Sequence, residues 1–257
     1  MSTRSQTATF RYARPAPPFW EVRLDVERPP DAGAFVLADL GGPLREPLFP
    51  SLTDDLGFMT TVEPGHTLTR LLPGATVDLM GPLGRGFRVD DVERLLLVAE
   101  APLLSLLRPL FQVAPSVALV VEATTRAQLP PPSRFPPALE LTLVTRDGSA
   151  GYLGPLENED PAPEGLERVG GRLRELLAWT ECVCLACASD RYPALARMVG
   201  EVRFQLQHDF GQALVRVPMP CGVGACDVCR VATRRGERQA CTDGPVFDLL
   251  DFAPSIS

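Results

Sequence analysis

Cys221-Gly-Val-Gly-Ala-Cys226-Asp-Val-Cys229, and then Ala240-Cys241-Thr-Asp-Gly-Pro-Val-Phe247, decide how this chain of 257 residues is read. The first three cysteines follow C-x4-C-x2-C and the fourth stands 12 positions on, a spacing that fits the plant-type [2Fe–2S] loop. Soft, anionic thiolates suit iron. Gly222 and Gly224 can take the positive φ that lets a loop aim backbone N–H groups at sulfur, and Ala225 is small enough to keep the approach close. Arg230, Arg234, Arg235 and Arg238 lie in or beside the loop of a chain with net charge -7. Cations there favour reduction of an anionic cluster. A structural zinc site, or loose thiols, is the alternative. Zinc ribbons use two C-x2-C-like knuckles, and here Cys226 and Cys229 form just one.

Around this segment, residues 203–257 show clustered cysteines and glycines and no long periodic element. A unit of that size makes little core, so a bound metal centre is expected to stabilise it. Residues 91–202 alternate short apolar runs with helical patterns. Leu95–Ala99, Val117–Val121, Leu139–Val144 and Cys182–Ala186 read as buried parallel strands, Leu166 to Leu177 and Tyr192 to Val199 as helices. Pro130–Pro137 and Glu157–Glu164 read as loops. That pattern predicts an open α/β layer. Residues 10–90 read as short strands, Phe19–Val26, Ala34–Leu40, Leu56–Val62 and Thr76–Met80, separated by proline and glycine turns, which predicts a small antiparallel barrel. Cys182, Cys184 and Cys187 are flanked by Val183 and Leu185 and read as small core hydrophobes. His66 and His208 stand alone in sequence and read as structural or exposed.

Composition narrows the function. With 27 prolines, long helices should be few. The acidic balance argues against nucleic acid, which needs a basic stripe to displace counterions. No apolar run reaches the roughly 20 residues that span a bilayer, and the N-terminus lacks an apolar signal segment, so the expected location is the cytoplasm. Seven cysteines in that compartment point to metal or redox chemistry.

The C-terminal motif, closed by Asp-Gly-Pro-Val-Phe247, resembles the electron-transfer subunits of class 1B dihydroorotate dehydrogenase, which are ferredoxin-reductase-like flavoproteins of pyrimidine biosynthesis. Gly81-Pro-Leu-Gly-Arg-Gly-Phe87 and Asp147-Gly-Ser149 resemble two further motifs of that family. The likeness in layout covers about residues 15 to 250. It implies Cys221, Cys226, Cys229 and Cys241 as cluster ligands and an FAD on the barrel. It also implies a hetero-oligomer in which electrons pass from a catalytic flavoprotein, such as a dihydroorotate dehydrogenase, through the cluster and FAD to NAD. This subunit would supply relay, with no catalytic residues of its own.

The departures are specific. The family grips FAD with Arg-Pro-x-Ser, and the corresponding stretch here is Arg45-Glu46-Pro47-Leu48-Phe49-Pro50-Ser51. Glu46 takes the arginine's place and Phe49 the serine's, leaving Arg45, Pro47 and Ser51 as candidates together with Gly65, His66 and Thr67 from the family's phosphate-contacting Gly-Thr. An acid there repels a diphosphate that arginine would grip, so FAD is expected to bind weakly. The family's glycine-rich turn after its first α/β strand is replaced by Glu100-Ala101-Pro102-Leu103-Leu104, and its Cys-Gly-Pro by Cys187-Ala188-Ser189. Backbone N–H groups can no longer close on a pyrophosphate, so NAD is not expected. The alternative function is therefore a degenerate iron–sulfur binding, sensing or assembly subunit.

Overall fold

In the computed structural model, which describes residues 5–158, 160–203 and 207–253, the residues gather into two units. The first runs to Phe87 and also takes in Arg216–Val231 and Glu237–Val246. The second is Arg88–Val215 with Ala232–Gly236 and the chain from Phe247.

Seven strands build the first unit: β1 (Ser5–Ala16), β2 (Phe19–Asp25), β3 (Phe35–Asp39), β4 (Glu46–Leu48), β5 (Leu52–Asp54), β6 (Gly57–Val62) and β7 (Thr76–Leu83). They pair antiparallel in the order β4-β3-β7-β1-β2-β6-β5. Alternate side chains turn inward, and Ala8, Phe10, Leu24, Phe58, Val77 and Leu79 share one core. Among the described residues β1 is the longest strand, at 12 residues, and its apolar signal is thin. Ala8 and Phe10 are its buried positions, and a register shift between Phe10 and Tyr12 then breaks the alternation.

Two of the three motifs quoted for the family likeness, Gly81–Phe87 and the Asp243–Val246 part of the C-terminal one, meet in this unit. Gly84, at φ 74°, lies so close to the Asp-Gly-Pro-Val-Phe segment that a Cβ there would stand 2.6 Å from Pro245 Cδ and 2.9 Å from the Gly244 oxygen. Arg85 N–H donates to that oxygen at 2.5 Å. Glycine at 84 is thus required twice, by conformation and by space.

The second unit holds β8 (Arg94–Glu100), β9 (Ser116–Ala123), β10 (Glu140–Thr145), β11 (Tyr152–Leu153), β12 (Cys182–Ala186) and β13 (Gly211–Leu214), with α1 (Val169–Trp179) and α2 (Tyr192–Val202). After a hairpin of β14 (Arg230–Thr233) and β15 (Gly236–Gln239), β16 (Val246–Asp248) joins the sheet edge, giving the order β11-β10-β9-β8-β12-β13-β16. From β11 to β13 the pairings are parallel. The antiparallel unit and the open α/β unit are the architecture the sequence predicts. Connections out of β8 and β9 use 3₁₀ turns where an α/β layer ordinarily has helices. Pro102 opens one and Pro132 another, and a proline-rich chain favours such short turns. α1 starts at Val169, three residues after the predicted start, because Leu166 lies in the preceding turn and is exposed. Cys182, Cys184 and Cys187 are buried core residues, and burial pushes the Cys187 thiol up to about 12.

Candidate metal centre and nucleotide sites

The loop from Cys221 brings its four cysteines together in the first unit. Cys221 and Cys226 sulfurs stand 3.3 Å apart, and so do those of Cys229 and Cys241. Two thiolates bound about 2.3 Å from one tetrahedral metal are separated by roughly 3.8 Å, so each pair lies near the spacing for one iron. Gly222 (φ 65°) and Gly224 (φ 73°) take the left-handed region, as the loop needs. A Cβ on Gly224 would lie 2.3 Å from Gln239 Oε1. Gln239 in turn ties the loop down, donating to the Gly224 oxygen at 2.9 Å and to Asp227 at 2.7 Å.

The loop's N–H groups face sulfur. Gly224 N donates to Cys241 Sγ at 3.3 Å. Burial opposes ionisation of Cys221, but N–H groups of Val223, Ala225 and Cys226, with the Cys226 thiol, bring it down to about 6. Burial, then the Cys229 thiol beside it, pushes Cys241 up to about 12. Cys229 and Cys241 are buried, whereas Cys226 is exposed between the exposed Val223 and Val228. Four converging thiols, in two pairs and with N–H donors on sulfur, fit a [2Fe–2S] cluster. The arginines contribute less positive field than their number suggests. Arg230 is paired with Asp227 at 2.8 Å and Glu237 at 2.9 Å, and Arg235 with Asp251 at 2.9 Å.

The flavin candidates are dispersed in role. Ser51 is buried and its hydroxyl donates to the Met59 carbonyl at 3.2 Å. Phe49 is buried against Phe35, 5.6 Å between ring centres. Pro47 sits within β4 opposite Leu37, with Arg45 half-buried just before the strand. Gly65 (φ 85°) turns the chain into the 3₁₀ turn Thr67–Arg70. His66 caps that turn, its Nδ1 accepting from Leu68 N at 3.2 Å. Nε2 therefore carries the proton and donates to Glu46 Oε2 at 2.9 Å. Glu46 and His66 satisfy each other, and these residues fit a diphosphate poorly.

At the carboxyl ends of the parallel strands a second cluster is assembled from distant segments. Glu122, which follows the apolar run Val117–Val121 of β9, is 1% exposed. It accepts from Arg146 Nε at 2.5 Å, from Leu156 N at 2.8 Å and from both terminal nitrogens of Arg191, at 3.1 and 2.8 Å. Arg191, just before α2, also reaches Glu100 at 2.5 Å and both oxygens of Glu157. A guanidinium has five N–H donors, and three carboxylates take them all. Desolvation of Glu122 would raise its pKa, but Arg191, then Arg146, hold it below the ordinary glutamate range. Sequence patterns single out Glu100 alone. The signal for the rest was Glu122, an acid ending the apolar run Val117–Val121, which a buried strand tolerates only with a cation.

The profile of the iron–sulfur cluster binding domain of dihydroorotate dehydrogenase B matches residues 218–252. The dihydroorotate dehydrogenase B electron-transfer subunit of Geobacillus thermodenitrificans is 30% identical over 190 residues, 70% of this chain and 66% of that one. The probable counterpart in Thermoplasma volcanium is 29% identical over 190 residues, 72% and 64%. The chain is related in sequence to the dihydroorotate dehydrogenase B electron-transfer subunits, and its residues 218–252 match their iron–sulfur cluster binding domain. It covers slightly under two thirds of the length of these two members. Sulfhydrogenase 1 subunit gamma of Pyrococcus furiosus is 28% identical over 236 residues, 87% of this chain and 77% of that one. An NADH-dependent reduced ferredoxin-NADP oxidoreductase structure shares the fold at TM-score 0.71 and 20% identity, covering 95% of this chain and 88% of that one. The ferredoxin reductase of carbazole 1,9a-dioxygenase does so at 0.60 and 17%, covering 83% and 69%. The recognition drawn from the motifs, and the ferredoxin-reductase-like fold, are both borne out. Among the described residues no helix is long and apolar enough to cross a membrane.

Proposed function

We propose that this chain is the iron–sulfur electron-transfer subunit of a multi-subunit oxidoreductase, with Cys221, Cys226, Cys229 and Cys241 as ligands of one [2Fe–2S] cluster. The observation that carries the reading is the convergence of the four thiols in two pairs under backbone donors. Such a cluster, when bound, accepts and returns one electron. The chain's own residues prepare for it. N–H groups of Val223, Ala225 and Cys226 hold Cys221 as a thiolate near neutral pH. Gly224 donates to Cys241, and Gln239 pins the loop. Exposed Cys226, Val223 and Val228 put one edge of the site at the surface, where a partner's redox group can approach.

The partner under this reading is a catalytic flavoprotein subunit, as the names of the dihydroorotate dehydrogenase B relatives suggest. FAD is a weakly held second cofactor of the antiparallel unit, because Glu46 and Ser51 are already committed to His66 and Met59. NAD is not expected in the second unit, where the Glu100 carboxylate takes up donors of Arg146, Arg191 and Ala188 N. Protein purified without oxygen should be red-brown and hold about two irons and two sulfides per chain, and Cys226→Ser should lose both. Stoichiometric zinc with no iron, in protein produced with ample iron, would overturn the assignment.

A further inference from the structure

Glu100 ends β8, the strand at which the sheet order reverses. β9 follows β8 in sequence and lies on one side of it, and β12 lies on the other. In open parallel sheets the crevice beyond such a switch point is where ligands bind. The Glu100 carboxylate bridges it. One oxygen accepts from Arg146 at 2.8 Å and Arg191 at 2.5 Å, and the other from Ala188 N, just beyond β12, at 2.9 Å. Two guanidinium groups and a backbone N–H converging on paired oxygens are the donor set of a phosphoryl group.

The other two carboxylates play a different part. Glu122 is the deepest, 1% exposed, and holds both arginines. Glu157 adds a second grip on Arg191. Two carboxylates already balance two guanidinium groups, so Glu100 brings the cluster to one net negative charge. Glu100 is also nearer solvent than Glu122, its side chain 16% exposed. It occupies the place of an exchangeable ligand and Glu122 that of a fixed counterion.

We infer that Glu100 is a tethered anion that occupies a phosphoryl-binding crevice at the switch point and makes the chain reject diphosphate ligands. Rejection here is by occupation as well as repulsion. A group on the same chain competes at an effective concentration in the millimolar range or above, so a free diphosphate must displace a carboxylate that is always present. Sequence alone gives the repulsion, and the structure adds that the donors survive beneath it.

The test is calorimetric titration of inorganic pyrophosphate into the full-length protein with its cluster, comparing the native chain with Glu100→Ala. The native chain should show no saturable binding below the millimolar range, and the variant should gain at least about tenfold in affinity. Adding Arg146→Ala to Glu100→Ala should remove that gain. Should Glu100→Ala fail to fold, Glu100→Gln keeps an acceptor for Ala188 N, removes the charge and must show a gain of about threefold or more. Equal binding by native chain and folded variant overturns the inference, as does a gain that survives Arg146→Ala. Iron content measured on the same samples keeps this outcome separate from that of the cluster assignment.

Discussion

Arg191→Met is the perturbation that most directly weighs the buried charge cluster. Arg191 is 7% exposed and contributes two of the hydrogen bonds that reach Glu122, itself 1% exposed. Methionine fills much of the same space and leaves Glu122 with Arg146 and the Leu156 N–H. Breaking a buried pair in this way costs about 3–5 kcal/mol, chiefly through the charge left behind. For a chain of this length that is a loss of roughly 6–20 °C in Tm. The assay is urea unfolding read by Trp179 of α1 in a Trp20→Phe background, so that emission reports the second unit. Adding Glu122→Gln to Arg191→Met should recover at least about 1 kcal/mol, because the orphaned charge goes. Glu122 is depressed in the native chain, so its contribution is full above the ordinary glutamate range and lost as pH falls through its lower folded value. Without Arg191, burial should raise the same group, so the gap between native and variant should widen from about pH 4 to pH 7. A loss under about 1 kcal/mol at pH 7, or a gap independent of pH, would refute the claim that Arg191 compensates a buried carboxylate.

Further perturbations address the other sites. Gly224→Ala forces a left-handed residue at a cost of about 1–2 kcal/mol and drives a methyl group against Gln239 Oε1. Iron release to a chelator should be several-fold faster than from the native chain, and an unchanged rate would show that the Gly224 turn is not needed. Glu46→Arg frees His66 and restores a cation beside β4. A charged hydrogen bond of about 1.5–3 kcal/mol should tighten FAD roughly tenfold to a hundredfold, read by flavin fluorescence quenching, whereas native protein retaining one FAD per chain through dialysis would disprove a weakened site.

What could be read from the sequence followed the range of the interactions involved. Cys182–Ala186 is found as a strand with the bounds predicted for it, because an uninterrupted apolar run needs no partner to be recognised. β1 escaped because Thr7, Thr9 and Arg11 give little contrast with Ala8 and Phe10, and its pairing with β7 spans about 70 residues of chain. The cysteines were legible since their spacing encodes their chemistry. The charge cluster was not. Arg191 meets Glu100 across 91 residues and Glu122 across 69, and no local pattern links an arginine before a helix to acids at strand ends. The family likeness implies Pro47 and Ser51 as cofactor contacts. In the fold, Ser51 turns its hydroxyl to Met59, a choice made by burial at 1% exposure that the residue's identity does not reveal.

Glu46 and Glu100 invite the same interpretation, as acids standing where a diphosphate would be held, yet their settings assign them unequal weight. The Glu46 side chain is 50% exposed and meets one imidazole. Such a pair contributes about 0–1 kcal/mol, which a flavin binding by stacking as well as phosphate contact can outbid. Glu100 has three donors, two of them guanidinium groups, and lies above a carboxylate that is almost fully buried. Displacing it means re-satisfying every one of those donors at once. On the function proposed above, one substitution at Glu46 strengthens a weak flavin site in the antiparallel unit, whereas the switch point of the α/β unit stays occupied by Glu100. Under the proposed function, such a subunit exchanges electrons at a cluster edge around the exposed Cys226, and its other redox partner is a flavin or a protein-bound centre in place of a nicotinamide.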